Sequence, residues 1–205
     1  MTGSVAASRW RASALAGEPA FVLGNGPTLP ADLSRLDGYF TVGVNRILWH
    51  YDPTVLIWLD ADVWADIKGP ARGCKAALAP SSDVRHGPGS IRPAKPGDDP
   101  RTDPSCYAAV GNSGVTAAIW AHALGCRPVY LLGMSASYLC GKTNSYGMNP
   151  RHGQGTAKHM RRALMQLLSA GWAYPILDQA GLQAILALLS PKRRTREWFH
   201  DQLAT

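Results

Sequence analysis

The chain has 205 residues, 46% of them hydrophobic, and its 21 Lys+Arg against 14 Asp+Glu leave a formal charge of +7. That composition supports one globular domain with a real core, excluding intrinsic disorder and any small scaffold that depends on cross-links. The longest uncharged run, Tyr107 to Cys126, is broken by Asn112, Ser113, Thr116, His122 and three glycines, which is too polar for a bilayer helix.

The segment from Met1 to Gly17 carries Arg9 and Arg11 but lacks the apolar block of a secretory signal, so a cytoplasmic protein is expected. Ala20 to Gly24 is a short apolar run ending in Gly24-Asn25-Gly26-Pro27, the pattern of a buried strand that delivers its carboxyl end into a tight loop. Leu29, Leu33 and Leu36 follow at helical spacing. Tyr39 to Val44, ending at Asn45, and Val55 to Leu59, ending at Asp60, read as strands buried on two faces. A fourth strand is expected at Ala76 to Pro80. Residues 81–105, dominated by Pro, Gly, Asp and Arg, read as a long irregular loop of the kind that forms lids or disordered segments.

Asn112-Ser113-Gly114 opens a helix running to Leu124 and closed by Gly125, and Pro128 to Leu132 is the next buried strand, ending at Gly133. Met160, Ala163, Leu164, Leu167 and Leu168 define an amphipathic helix whose other face carries Lys158, Arg161 and Arg162 and which Gly171 ends. A strand over Tyr174 to Leu177 and a helix over Gly181 to Leu189 complete the pattern. Strands alternating with helices predict an α/β fold, a mainly parallel, Rossmann-like sheet flanked by helices. The expected organisation is an arm at 1–19, a nucleotide-binding domain at 20–189 and a basic tail at 190–205.

Four cysteines, Cys74, Cys106, Cys126 and Cys140, have no C-x-x-C spacing and read as free thiols. Residues 1–140 hold 12 basic and 11 acidic side chains, and 141–205 hold 9 and 3, so +6 of the +7 lies in the last third. A positive face of this kind attracts nucleotides, nucleic acid or anionic headgroups, or is simply a solvated surface.

Ligands of parallel sheets bind beyond the carboxyl ends of the strands, where Gly24, Asn45, Asp60, Asn112 and Gly133 all fall. Gly24-x-Gly26 either brings backbone amides close to a phosphate or forms only a tight turn. It lacks the third glycine of a dinucleotide fingerprint, and no Gly-Lys-Ser/Thr is present. Asp60 and Asp62 have the spacing of a carboxylate pair sharing magnesium or manganese with a diphosphate, but Asp62 equally suits a helix cap. Asn112, Ser113 and Gly114 offer helix N-terminal donors or a plain cap. Tyr138, Tyr146 and His152 could handle a phosphate leaving group and a proton.

Leu23-Gly-Asn-Gly-Pro-Thr28, Val44-Asn45-Arg46, Asn112-Ser-Gly-Val115 with its Ala-rich helix, and Val129-Tyr-Leu-Leu-Gly-Met134 resemble, in block order, the bacterial sialyltransferases of glycosyltransferase family 42. The blocks are also similar to uncharacterised phage proteins and, more distantly, to archaeal 6-hydroxymethylpterin pyrophosphokinases. The resemblance implies a GT-A-like fold and a sugar transferred from a nucleotide-sugar donor, CMP-linked or other, to an acceptor hydroxyl. It implies nucleotide contacts at Asn25 and Asn45, Ser113-Gly114 against the donor, Tyr138 and Tyr146 on the departing phosphate, and His152 as base. Asp60 where the family has an amide, a compressed lid and a shorter spacing from Tyr146 to His152 leave the donor sugar open. The rival readings are magnesium-dependent diphosphate transfer from a nucleoside triphosphate, with Asp60 and Asp62 on the metal, and a non-catalytic nucleic-acid-binding module. The acceptor is expected to be a saccharide, a protein or modified DNA, held by Lys192, Arg193, Arg194 and Arg196.

Overall fold

The computed structural model describes residues 11–60, 63–67, 77–80, 89–107, 112–134, 154–189 and 194–203. Among them are eight strands: β1 (Ala20–Leu23), β2 (Phe40–Val44), β3 (Val55–Ile57), β4 (Ala77–Pro80), β5 (Gly89–Pro93), β6 (Cys106–Tyr107), β7 (Val129–Leu132) and β8 (Tyr174–Ile176). They form one sheet in the order β6-β5-β4-β3-β2-β1-β7-β8, and every pairing is parallel. The helices are α1 (63–67), α2 (Ser113–Ala123), α3 (Gln154–Ser169), α4 (Gln179–Leu188) and α5 (Arg196–Leu203). The expected α/β architecture is therefore the observed one.

Strand alternation divides the core into two faces. Ala20, Val22, Phe40, Val42, Val44, Val55, Ile57, Val129 and Leu131 point to one side, where α2 and Leu167 of α3 cover them. Phe21, Leu23, Leu56, Trp58, Tyr130, Leu132 and Ile176 point to the other, under Leu36, Ile47, Val63, Ile67 and Leu182. Because both faces are covered, the strands read as continuous apolar runs rather than alternating ones.

Four expectations change. Leu29, Leu33 and Leu36 do not sit on an α-helix: only a 3-10 turn, Ser34–Leu36, forms, and Leu33 and Leu36 are buried through their loop. The stretch 81–105 is not wholly irregular, because β5 extends the sheet and buries Ile91. The loop that follows β5 is pinned to α2 by the Trp120 indole, which donates to the Pro104 carbonyl at 2.9 Å. Residues 11–19 of the expected arm pack on the domain: Leu15 is buried, and its amide donates to the Leu124 carbonyl at 2.8 Å, satisfying an acceptor that the end of α2 leaves open. Finally, the basic tail enters α5, whose Phe199 and Leu203 belong to the core. Cys106 and Cys126 are free and buried.

Candidate functional site at the carboxyl edge

The chain proceeds outward from β1 through β2 and β3, then returns to place β7 on the other flank of β1. The reversal makes a switch point between β1 and β7, the position at which open parallel sheets hold ligands. Both strands end there on glycines. The Gly24 amide donates to the Leu132 carbonyl at 2.8 Å and the Gly26 amide to the Gly133 carbonyl at 2.7 Å, prolonging the ladder past both strand ends. These two amides are thus committed to the junction, and a phosphate-cradling role for them falls away. The glycines are needed for another reason. A Cβ on Gly24 would lie 2.6 Å from the Gly133 oxygen and 2.6 Å from Met134 Cγ, and one on Gly26 would collide with the same carbonyl.

Asn25, 9% exposed, bridges the ends of β1 and β2: its Nδ2 donates to the Val44 carbonyl at 2.7 Å. Its Oδ1 is buried without a hydrogen-bond partner, as are Oδ1 of Asn45 and Oγ1 of Thr28. Asn45 follows β2 at φ +52°, a left-handed conformation that Asn adopts more readily than other non-glycine residues. Buried polar oxygens are normally satisfied, because each unpaired one costs about 1–3 kcal/mol. Three such oxygens lie together at this edge without a hydrogen-bond partner. Thr28 was not singled out from the sequence beyond its place in the first motif block. Only burial distinguishes it from an ordinary loop threonine.

α2 packs on β1, β2 and β7 and brings its N-terminus to this edge, where an added Gly114 Cβ would meet Met134 Cε at 2.5 Å. Asn112 is an N-cap, its Oδ1 accepting from the Val115 amide at 3.0 Å. That bond consumes the side chain the sequence offered to a ligand, but the helix's own pattern does not use the Ser113 and Gly114 amides. Gly24, Asn25, Gly26, Asn45, Asn112, Ser113 and Gly114 are thereby gathered around one junction.

Asp60 is exposed three residues beyond β3, and its carbonyl accepts from the Val63 amide at 3.1 Å. Beside Asn45, the Arg46 guanidinium pairs with Asp66 of α1, Nε to Oδ2 at 2.7 Å, so α1 is tied to the end of β2. Among the described residues no three His, Cys, Asp or Glu side chains converge as metal ligands. Asp62, Tyr138, Tyr146 and His152 lie outside the described residues.

The basic tail is placed elsewhere. The Arg194 amide donates to the Gly38 carbonyl at 2.8 Å, and its guanidinium lies 3.7 Å from Glu18 and 4.6 Å from the centre of the Trp198 ring. Gly38 and Glu18 precede β2 and β1, so Arg194 sits at the amino edge, opposite the switch point. Lys192 and Arg193 lie outside the described residues.

No helix among the described residues is long and apolar enough to cross a membrane. No family model matches the chain, and no curated protein matches it. Among solved structures it is similar to the sialyltransferase CstII from Campylobacter jejuni, determined in complex with a substrate analogue, cytidine-5'-monophosphate, at 15% identity over 88% of each chain with a TM-score of 0.48. That likeness is one of overall fold.

Proposed function

We propose that the carboxyl edge between β1 and β7 binds the nucleotide of a nucleotide-sugar donor, and that the protein is a glycosyltransferase-like enzyme. The observation that carries this reading is the trio of buried, unpartnered oxygens on Asn25, Thr28 and Asn45. Carboxamide oxygens only accept, so they suit the hydroxyls of a ribose or an exocyclic amine and repel a phosphate. The negative groups belong instead at the mouth of α2, where the Ser113 and Gly114 amides and the helix dipole favour anions. The site then divides by polarity, with donors of the nucleoside on acceptors of β1 and β2 and the phosphate on α2.

In the transfer itself the acceptor hydroxyl oxygen attacks the anomeric carbon and gives its proton to His152. The bond from that carbon to the phosphate oxygen breaks, and the nucleotide leaves with the electron pair, braced by Tyr138 and Tyr146. Displacement from the opposite side inverts the anomeric centre. No step is assigned to a divalent cation, because Asp62, the carboxylate expected beside Asp60, lies outside the described residues.

Thermal-shift titration with CMP, UDP, GDP and ATP, with and without magnesium, tests the reading, because a ligand that binds only the folded state raises the melting temperature. One nucleotide should stabilise the wild type, by about 2.7 kcal/mol at a hundredfold excess over Kd, while Asn25→Ala and Asn45→Ala should respond far less. His152→Ala should keep that shift and lose about 10²–10⁴-fold in transfer rate. Silence toward all four nucleotides would defeat the proposal. A response to ATP alone, and only with magnesium, would replace it with diphosphate transfer.

A further inference from the structure

Between Asp103 and Asp178 the chain has no acidic residue: residues 104–177 contain Arg127, Lys142, Arg151, Lys158, Arg161 and Arg162 and no Asp or Glu. This run builds α2, β7, α3 and β8, as well as β6 at the opposite edge, so α2, β7, α3 and β8 carry no acidic side chain, and the first one beyond them is Asp178, the N-cap of α4. The other flank holds Asp60 and Asp66 near its carboxyl edge. The resulting polarity is concentrated on α3, where Lys158, Arg161 and Arg162 are exposed and, among the described residues, none has a carboxylate partner.

Those three residues violate the local rules of helix stability. Lys158 faces like charges at i+3 and i+4, which repel on a helix surface, and the first turn of α3 has no acidic residue to complement the dipole. Among the described residues no ion pair compensates for that repulsion, and an uncompensated local conflict in a native chain points to function.

Placement supports the same conclusion. α3 ends at Gly171, and Trp172 stacks on His122 at the far end of α2, ring centres 4.6 Å apart, so the C-terminus of α3 is at the amino edge. Measured from Ser169 along the axis, Lys158 lies about 16 Å and Arg162 about 10 Å away, against about 13 Å for a four-residue strand, which brings Lys158 to the level of the carboxyl edge. α3 packs beside α2. Among the described side chains of α3 the other exposed ones, Met165, Gln166 and Ser169, include no aromatic ring on which a sugar or base could stack, and two of the three cations are guanidinium forks matched to phosphate.

We propose that the outward face of α3, through Lys158, Arg161 and Arg162, is a docking surface for the phosphodiester backbone of a nucleic acid. This moves the anion-binding role from the tail, where Arg194 is engaged at the opposite edge, to a helix beside the switch point. It does not depend on the nucleotide reading, since a chain indifferent to every mononucleotide would still bind through this face.

Fluorescence anisotropy of a labelled DNA duplex of arbitrary sequence, titrated with the full chain across a range of salt, provides the test. Wild type should bind with an affinity that falls steeply with salt, and the triple variant K158Q/R161Q/R162Q should bind at least about tenfold more weakly, its log–log salt slope flattened by about 2.7. The variant removes like-charge repulsion, so its melting temperature should hold or rise, separating lost binding from lost folding. Lys192→Gln with Arg193→Gln should bind nearly as wild type. A triple variant that binds like wild type, a tail pair that loses as much as the triple, or a chain that takes dextran sulfate but no duplex would each overturn the proposal.

Discussion

At Gly26 and Gly114 the same substitution meets different neighbours. An added Cβ at Gly26 collides with the Gly133 carbonyl, a backbone atom held between two strand ends, whereas at Gly114 it meets Met134 Cε and Sδ, the far end of a flexible side chain. Gly26→Ala should therefore destabilise the protein by about 1–3 kcal/mol in urea unfolding. Gly114→Ala should cost less than about 1 kcal/mol, because the methionine can turn aside and alanine is the better helix former. Equal losses at the two positions would show that the junction yields as readily as a methionine. Gly26 stands out in the sequence as part of a possible phosphate loop and Gly114 as part of a helix N-terminus, and only the structure shows how closely each is packed.

The C-terminal end of α2 offers a test at the scale of an element. His122 stacks on Trp172, and Nη2 of Arg127 lies 3.0 Å from its Nδ1, while Nη1 donates to the His122 carbonyl at 3.0 Å. Burial, and then the Arg127 charge, hold the imidazole below its ordinary value of 6.5. A lowered folded pKa means that below about pH 6.5 the unfolded chain takes up the proton more readily than the folded one, so stability falls as pH falls. Above that pH the contribution is fully present. Urea midpoints between pH 8 and pH 5 should decline for the wild type and decline less for His122→Gln. An unchanged slope would remove His122 from the acid sensitivity.

Across the whole molecule the two edges of the sheet carry different duties, and a single strand measures their separation. Phe199 of α5 packs on Phe40, ring centres 5.3 Å apart, at the start of β2, and Asn25 bonds the Val44 carbonyl at its end. Four residues of strand separate these points by about 13 Å. Phe199→Ala should cost about 3–5 kcal/mol without changing nucleotide affinity in the folded protein. Asn25→Ala should do the reverse, weakening binding more than folding. Their stability effects should add to within about 0.5 kcal/mol, and if Phe199→Ala leaves too little folded chain, Phe199→Leu serves the same cycle. A large coupling energy would mean that the edges communicate.

The apolar runs at Ala20–Leu23, Phe40–Val44, Val55–Ile57 and Val129–Leu132 were legible in the sequence because strands buried on two faces need unbroken hydrophobic stretches. The α3 periodicity, the Asn112 start of α2 and the glycines after α2 and α3 were legible for an equally local reason. The sequence also determined which polar residues end those strands. It could not determine that Leu33 and Leu36 reach the core from a loop, that β5 adds to the sheet, or that α5 returns to β2, because each depends on contacts distant in the chain. Nor could it distinguish an amide that faces a ligand from one already bonded: Gly24 and Gly26 are committed to β7, while Asn25, Thr28 and Asn45 keep oxygens without partners. Residue types and spacing place groups at the same edge. Only the packed chain decides which of them are satisfied, because hydrogen-bond satisfaction is set by neighbours that sequence order does not supply.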